Sequence, residues 1–347
     1  MNVWIRADAG SDIGTGHVMR CLTLADRLKG NANLSFVCQE RPGDLIAYIR
    51  EKGFAVHSFR SATGSWEEDS DYTLGAIRQS DQSVDRFVVD HYGLASEYET
   101  RIRTEVGKLM AIDDLADRAH ECDWLLDQNP YADAKSRYEN LVNGECVTLL
   151  GPSYALLRPD FARTKEKVYR TGKVDRLLVS FGGADLTNEA TKTLRAIVRV
   201  RERTGKQLPV SVLAGRINPH AESIRELCAG LPDVRYFAHA ENVAELMAMS
   251  DLAIGSGGTT TWERCCVGLP ALVVTTADNQ VELSVHAAKL GVIGLLGANG
   301  NVDEERIADA LIARLEDKEG TRKMSEAGMA LVDGIGADRI MKELLTC

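Results

Sequence analysis

Short, almost wholly apolar runs recur along this chain, and a stretch of helical periodicity follows most of them. In the first half these runs are VWIRA (3–7), LSFVC (34–38), AVHSF (55–59), RFVVD (86–90), KLMAI (108–112), WLLD (124–127) and CVTLL (146–150). Helical patterns fall at 17–29, 44–53, 67–80 and 96–105. The first of these places Val18, Cys21, Leu22, Leu24, Ala25 and Leu28 on one side. Strands apolar on both faces and joined by helices form parallel βαβ units, with helices covering both sides of the sheet. The second half repeats the logic with RLLVSF (176–181), LPVSVLAG (208–215), VRYFA (234–238), DLAIG (251–255) and PALVV (270–274), and helices carry the chain on from 303. The expected fold class is therefore α/β, with two Rossmann-like domains facing a cleft. A charged, apolar-poor run within 151–175 places the boundary. Residues 1–158 are expected to form the N-terminal domain, 159–171 a linker and 172–347 the C-terminal domain.

The chain has 347 residues, enough for two domains of ordinary size, and its 44% hydrophobic and 27% charged residues are those of a globular protein. A net charge of −10 argues against a nucleic-acid partner. The eight cysteines include no CxxC pair and no zinc spacing, which reads as a reducing, cytoplasmic setting. The start MNVWIRADAG lacks the basic and long apolar regions of a signal peptide, and no run approaches a membrane span, so no membrane insertion is expected.

Ligands of parallel α/β sheets bind beyond the carboxyl ends of the strands. After the first run comes ADAGSDIGTGHVMRC, where Gly14 and Gly16 let the backbone approach a ligand and His17 falls in the first turn of a helix. A helix N-terminus favours the neutral imidazole, a competent general base. After 86–90 comes DHYG: Asp90, His91 and Tyr92 offer hydrogen bonds to a sugar or a water, or an Asp helix cap beside two surface rings. Asp113 and Asp114 follow 108–112 and read as a turn with a helix cap. Gly182 and Gly183, in SFGGAD, form a candidate anion nest. The strongest signal is GSGGTTTWE (255–263). Gly257, Gly258, Thr259 and Thr260 open a helix whose free N–H groups suit a diphosphate, and Glu263 lies one turn in, placed to accept from ribose hydroxyls. Asp278, Asn279 and Gln280 open the next helix and can reach a sugar or the attacking water.

The order of IRADAGSDIGTGHVMRCLTLA, DHYG, GPSYALLRPDF, SFGGAD, GSGGTTTWE and DNQ resembles the UDP-sugar hydrolases of pseudaminic acid biosynthesis, enzymes similar in fold to GT-B glycosyltransferases. The likeness runs from about Val3 to Gly291. It implies GT-B architecture and hydrolysis of UDP-2,4-diacetamido-2,4,6-trideoxy-β-L-altropyranose to free sugar and UDP. It implies His17 as the group that activates water, Tyr92 and Asn279 near the sugar, and Glu263 with the Gly257–Thr260 loop at the nucleotide. Arg158 matches an arginine of the corresponding segment. UDP is a good leaving group, so one base suffices and water can attack the anomeric carbon with inversion. The expectation is a UDP-sugar as partner, with no cofactor and no metal. A GT-B glycosyltransferase using a UDP-sugar donor is the alternative, and a non-catalytic nucleotide-sugar module a third.

Overall fold

The structure, a computed structural model, describes residues 1–346 except positions 216, 239 and 241. Seven strands build the first sheet: β1 (Asn2–Ala7), β2 (Asn33–Gln39), β3 (Ala55–Phe59), β4 (Val84–Asp90), β5 (Val106–Ile112), β6 (Trp124–Asp127) and β7 (Val147–Leu150). Their order is β3-β2-β1-β4-β5-β6-β7, and every pairing is parallel. Alternation along the strands explains their near-continuous apolarity. Val3, Ile5, Val88, Met110 and Leu126 enter one core with the helix Gly16–Leu28, while Trp4, Phe87, Val89, Leu109 and Leu125 enter another on the opposite face with Tyr98 and Ile102.

The second sheet has six strands: β8 (Leu177–Ser180), β9 (Val210–Leu213), β10 (Val234–Phe237), β11 (Leu252–Ser256), β12 (Ala271–Thr275) and β13 (Gly294–Ala298). Their order is β10-β9-β8-β11-β12-β13, again all parallel. Strand β13 is absent from the sequence reading. Its segment, GLLGA, holds two glycines and breaks register with β12 at a bulge, so its sequence carries little strand signal. In each sheet the strand order reverses beside the first strand, between β1 and β4 and again between β8 and β11. The crevice outside the carboxyl ends at such a reversal is where doubly wound sheets bind ligands.

The chain divides into two compact units, Met1–Leu156 with Ile335–Cys347, and Leu157–Gly334. This differs from the expected division in two places. Residues 159–171 are no linker: the helix Pro159–Lys165 buries Phe161, and Arg170 donates to the carbonyls of Met247 (3.0 Å) and Val267 (3.1 Å). Two of the charges that read as solvated, Lys165 and Arg170, donate to backbone carbonyls instead. The last helix, Gly336–Leu345, leaves the second unit and packs on the first, where Ala337, Ile340 and Leu344 join the core of the helix Gly16–Leu28. Arg27 pairs with Asp338, and Arg86 Nε donates to the carbonyl of Leu344 (3.0 Å).

Ile340 is fully buried in the first unit's core. Replacing Ile340 with Ala is expected to destabilise the first unit by about 2–5 kcal/mol, the cost of a buried aliphatic truncation. Urea denaturation followed by hydrogen exchange should show the loss in strands β1–β7 and spare β8–β13.

Candidate active site

The helix Gly16–Leu28 begins directly beyond β1, after a turn in which Gly10 and Gly14 exchange backbone hydrogen bonds of 3.1 and 2.8 Å. Gly14 has φ +78°, a left-handed conformation that glycine adopts without strain. The turn brings His17 over the carboxyl end of β4, where Asp90 is the last strand residue. His17 Nδ1 lies 2.6 Å from Asp90 Oδ1. Arg20, one turn on from His17, donates Nε to Asp90 Oδ2 and Nη2 to Oδ1, both at 2.6 Å. Burial alone would raise the Asp90 carboxyl. The Arg20 guanidinium and His17 overcome this and hold it far below the usual carboxylate range. An ionised carboxylate only accepts, so the His17 Nδ1 that faces it carries a proton.

Tyr92 packs edge-on against His17, with ring centroids 4.6 Å apart, and the Arg118 guanidinium lies 5.9 Å from the Tyr92 ring centre. Asp90 caps no helix; its charge belongs to His17 and Arg20. A second buried cluster lies beneath the same turn. Arg6 binds Asp8 and Asp69, at 2.5 and 2.6 Å, and Asp8 also accepts from the N–H of Gln39 (2.7 Å). His91 Nε2 faces Asp8 at 3.5 Å while its Nδ1 accepts from Gly93 N–H (3.0 Å). Burial, together with Arg6, pushes the His91 imidazole down to about 3, so this ring is neutral.

Asp113 and Asp114 part company. Asp114 accepts from Arg20 Nη1 at 3.0 Å and so joins the His17 network. Asp113 closes its own turn through Ala116 N–H (2.8 Å) and pairs with Arg118 (2.7 Å), and Tyr138 Oη lies 3.1 Å from it. His120 sits behind them, with Nδ1 2.7 Å from Glu99 and Nε2 3.8 Å from Asp113. Burial works against its charge, but Asp113 and Glu99 push the imidazole up to about 9.

In the second unit, the loops after β8 and β11 meet: a Cβ on Gly182 would lie 3.7 Å from Ser256 Oγ. The carbonyls of Gly182 and Gly183 face Gly215, where a Cβ would come within 2.4 and 1.9 Å of them. The helix that follows, Glu189–Thr204, has its start filled from within. Asp185 accepts from the N–H groups of Glu189 (2.8 Å) and Ala190 (3.0 Å), and burial pushes its carboxyl up to about 6. The loop after β11 is different. The Gly257 N–H continues the β11–β12 ladder, but among the described residues the backbone N–H groups of Gly258, Thr259 and Thr260 make no hydrogen bond, and Thr259 supplies no side-chain cap to the helix Thr260–Cys266. Glu263 lies on that helix. Burial raises its carboxyl, opposed first by Arg158, which also approaches Asp160 (3.6 Å) and the Phe161 ring (5.4 Å). Gln280 packs against Gly257, and its Oε1 accepts from Thr276 N–H (3.0 Å), closing its own turn. Asn279 lies beside it in the 3-10 turn Asp278–Gln280.

The structure thus gathers His17, Tyr92, Gly14 and Gly16 at the β1–β4 edge. It gathers Gly182, Gly183, Gly257, Gly258, Thr259, Thr260 and Gln280 at the β8–β11 edge, with Arg158 beside Glu263. Sequence reasoning missed Arg6, Asp8, Arg20 and Asp69. Arg20 had a signal: it lies three residues after His17, on the buried side of an amphipathic helix. Among the described residues no group of three or more His, Cys, Asp or Glu side chains is placed to hold a metal ion. No helix among them is long and apolar enough to cross a membrane.

Residues 177–332 match the glycosyltransferase family 28 C-terminal domain. The chain is 30% identical over 292 residues to the UDP-2,4-diacetamido-2,4,6-trideoxy-β-L-altropyranose hydrolase of Campylobacter jejuni, covering 84% of this chain and 97% of that protein. It is 26% identical over 341 residues to the spore coat polysaccharide biosynthesis protein SpsG of Bacillus subtilis, covering 98% and 96%. The crystal structure of Acinetobacter baumannii MurG superposes with a TM-score of 0.68 at 14% identity, covering 99% of each chain. The fold is GT-B.

Two outcomes follow from the buried charges. Asp90→Ala leaves the buried Arg20 with only Asp114 and is expected to cost about 3 kcal/mol in urea denaturation. His120 has a folded pKa of about 9, above its unfolded value. Its contribution is therefore complete below about pH 6.5 and lost as pH rises through 9. Stability measured from pH 6 to 10 should fall across that window, and His120→Gln should remove this part of the slope.

Proposed function

The chain belongs to the family of the UDP-2,4-diacetamido-2,4,6-trideoxy-β-L-altropyranose hydrolase, and we propose that it catalyses that reaction, releasing 2,4-diacetamido-2,4,6-trideoxy-L-altrose and UDP. The observation that carries the reading is the His17–Asp90 pair, 2.6 Å apart at the carboxyl edge of β1 and β4. Asp90 fixes the ring so that Nε2 accepts a proton from water. The water oxygen then attacks the anomeric carbon, the bond from that carbon to the UDP oxygen breaks, and UDP leaves with the electron pair, inverting the centre. The imidazolium formed is stabilised across Nδ1 by Asp90, as in a catalytic triad.

The leaving diphosphate carries the developing charge. The N–H groups of Gly258, Thr259 and Thr260 take that role, with Gly257 letting the loop approach, since among the described residues no protein acceptor uses them. Glu263 accepts from the ribose hydroxyls, with Arg158 offsetting part of the rise that burial gives its carboxyl. Tyr92 and Asn279 contact the sugar, Gln280 and the Gly182–Gly183 turn border the nucleotide, and Gly14 and Gly16 let the first loop approach it. The steps consume only water. A UDP-linked substrate places the reaction in the cytoplasm, where nucleotide sugars are made. The glycosyltransferase domain match favours one alternative, transfer to an acceptor other than water.

Incubation with the UDP-sugar and no acceptor, followed by anion-exchange chromatography and NMR, is expected to give UDP and free reducing sugar. UDP-sugar that binds and stays intact would move the assignment to a transferase. His17→Ala is expected to lower kcat by about 10³-fold, the loss of a general base, with UDP affinity unchanged. Glu263→Ala is expected to weaken UDP binding by about tenfold, the loss of one charge-assisted contact, with kcat little altered.

A further inference from the structure

Cys122 and Cys146 lie side by side, with their sulfur atoms 3.6 Å apart. Two parallel segments bring them together, one leading into β6 and one into β7. His120 bridges Val142, His120 N–H donates to the Leu141 carbonyl (2.7 Å), and Val147 N–H donates to the Asp123 carbonyl (2.9 Å). Asn143 ties the segments at the cysteines themselves. Its carbonyl accepts from Cys146 N–H (3.1 Å), and its Nδ2 donates to the Cys122 carbonyl (3.4 Å). Trp124 pairs with Val147, which sets Cys146 opposite Asp123 and one residue along from Cys122. One ladder spacing across and one residue rise along put the two Cα atoms roughly 6 Å apart. A disulfide spans Cα separations of about 4.4–6.8 Å. The sulfurs can therefore close by side-chain rotation with the backbone in place.

The two thiols are unequal. Cys122 is fully buried in the core that holds Leu125 and Tyr138, and Cys146 is half-buried at the margin of that core. Strand β7 is the outermost of its sheet, and Val147, next to Cys146, is 48% exposed. A small oxidant reaches Cys146 first. With Cys122 as the donor in their contact, the Cys146 thiol is held below its usual value, aided by His120 and the Leu125 N–H and opposed by burial and Asp123. The same contact and burial push Cys122 up. The thiolate is the reactive form, so exposure and ionisation single out the same sulfur. The other described cysteines, Cys21, Cys38, Cys228, Cys265 and Cys266, are all buried.

We infer that Cys122 and Cys146 are a peroxide-responsive dithiol, whose disulfide staples the edge strand β7 to β6. The Cys146 sulfur attacks one oxygen of hydrogen peroxide, the O–O bond breaks, and the hydroxide released takes the thiol proton and leaves as water. The Cys122 sulfur then attacks the resulting sulfenic acid. The S–S bond forms, the S–O bond breaks, and the hydroxyl leaves as water with the Cys122 proton. Two thiols lose two electrons in all, and one peroxide becomes two waters. A small thiol in a reducing setting reverses the bond by exchange. The pair lies at the amino ends of β6 and β7, away from the carboxyl edge that holds His17, so the inference stands apart from the reaction proposed above. The bond joins residues 24 positions apart and secures a strand that is paired on one side alone.

The test treats the native full chain with hydrogen peroxide, blocks the remaining thiols by alkylation and maps the cysteines by mass spectrometry, with thermal unfolding before and after. A peptide linked through Cys122 and Cys146 is expected, and dithiothreitol should return it to two thiols. Tm is expected to rise by about 5 °C or more, the effect of a cross-link over a loop of this length, and Cys146→Ser should lose both the link and the shift. Cys122→Ser is expected to stop Cys146 at the sulfenic acid, trapped by dimedone. If that buried substitution unfolds the chain, the wild-type map and Cys146→Ser decide the matter between them. Native protein that keeps both thiols under peroxide, or that bonds Cys146 to a different cysteine, overturns the dithiol. A mapped Cys122–Cys146 bond with Tm unchanged or lowered overturns the staple.

Discussion

The carboxylate of Asp90 is the charge around which the first unit's site is built. It is wholly buried at the end of β4, a position that would keep an isolated carboxyl neutral. Arg20 and His17, both from the helix after β1, keep it charged. The same contact joins two strands that are neighbours in space and more than 70 residues apart in sequence. It also sets the tautomer of His17, because an ionised carboxylate can only accept. Support for the fold and orientation of the His17 ring are therefore one interaction, and a change at Asp90 affects both.

The two units use one topology and treat their helix starts differently. After β8 the chain supplies its own anion: Asp185, at φ +44°, folds back onto the N–H groups of Glu189 and Ala190. After β11 no side chain does this, and among the described residues the N–H groups of Gly258, Thr259 and Thr260 stay unused. Polar groups that a protein leaves unsatisfied in its interior are costly, and they are tolerated where a ligand completes them. In the first unit the corresponding edge is crowded with carboxylates, Asp8, Asp90 and Asp114, and these hold Arg6, Arg20 and the His17 ring.

Much of this was legible in the sequence because parallel strands must be apolar on both faces, which marks them clearly. Twelve of the strands fall where short apolar runs predict them, and the loops rich in glycine and threonine follow the strands that end at the two reversals of strand order. Long-range pairings were not legible. Nothing local in Arg6 says that it will meet Asp69, or in Arg20 that it will meet Asp90. The amphipathic pattern of Gly336–Leu345 shows that Ile340 and Leu344 need a core, but the pattern does not say which one. The charged run before β8 looked like a linker because charge usually means solvent. Here Arg170 and Lys165 spend their donors on backbone carbonyls.

The central claim is that His17 aims water at the anomeric carbon rather than at phosphorus. The most direct measurement is turnover of the UDP-sugar in water enriched in oxygen-18, with mass spectrometry of both products. The account predicts the label on carbon 1 of the released sugar and none in UDP. Label in the β-phosphate of UDP would mean cleavage at phosphorus, and would contradict the assignment of His17 and of the leaving group alike.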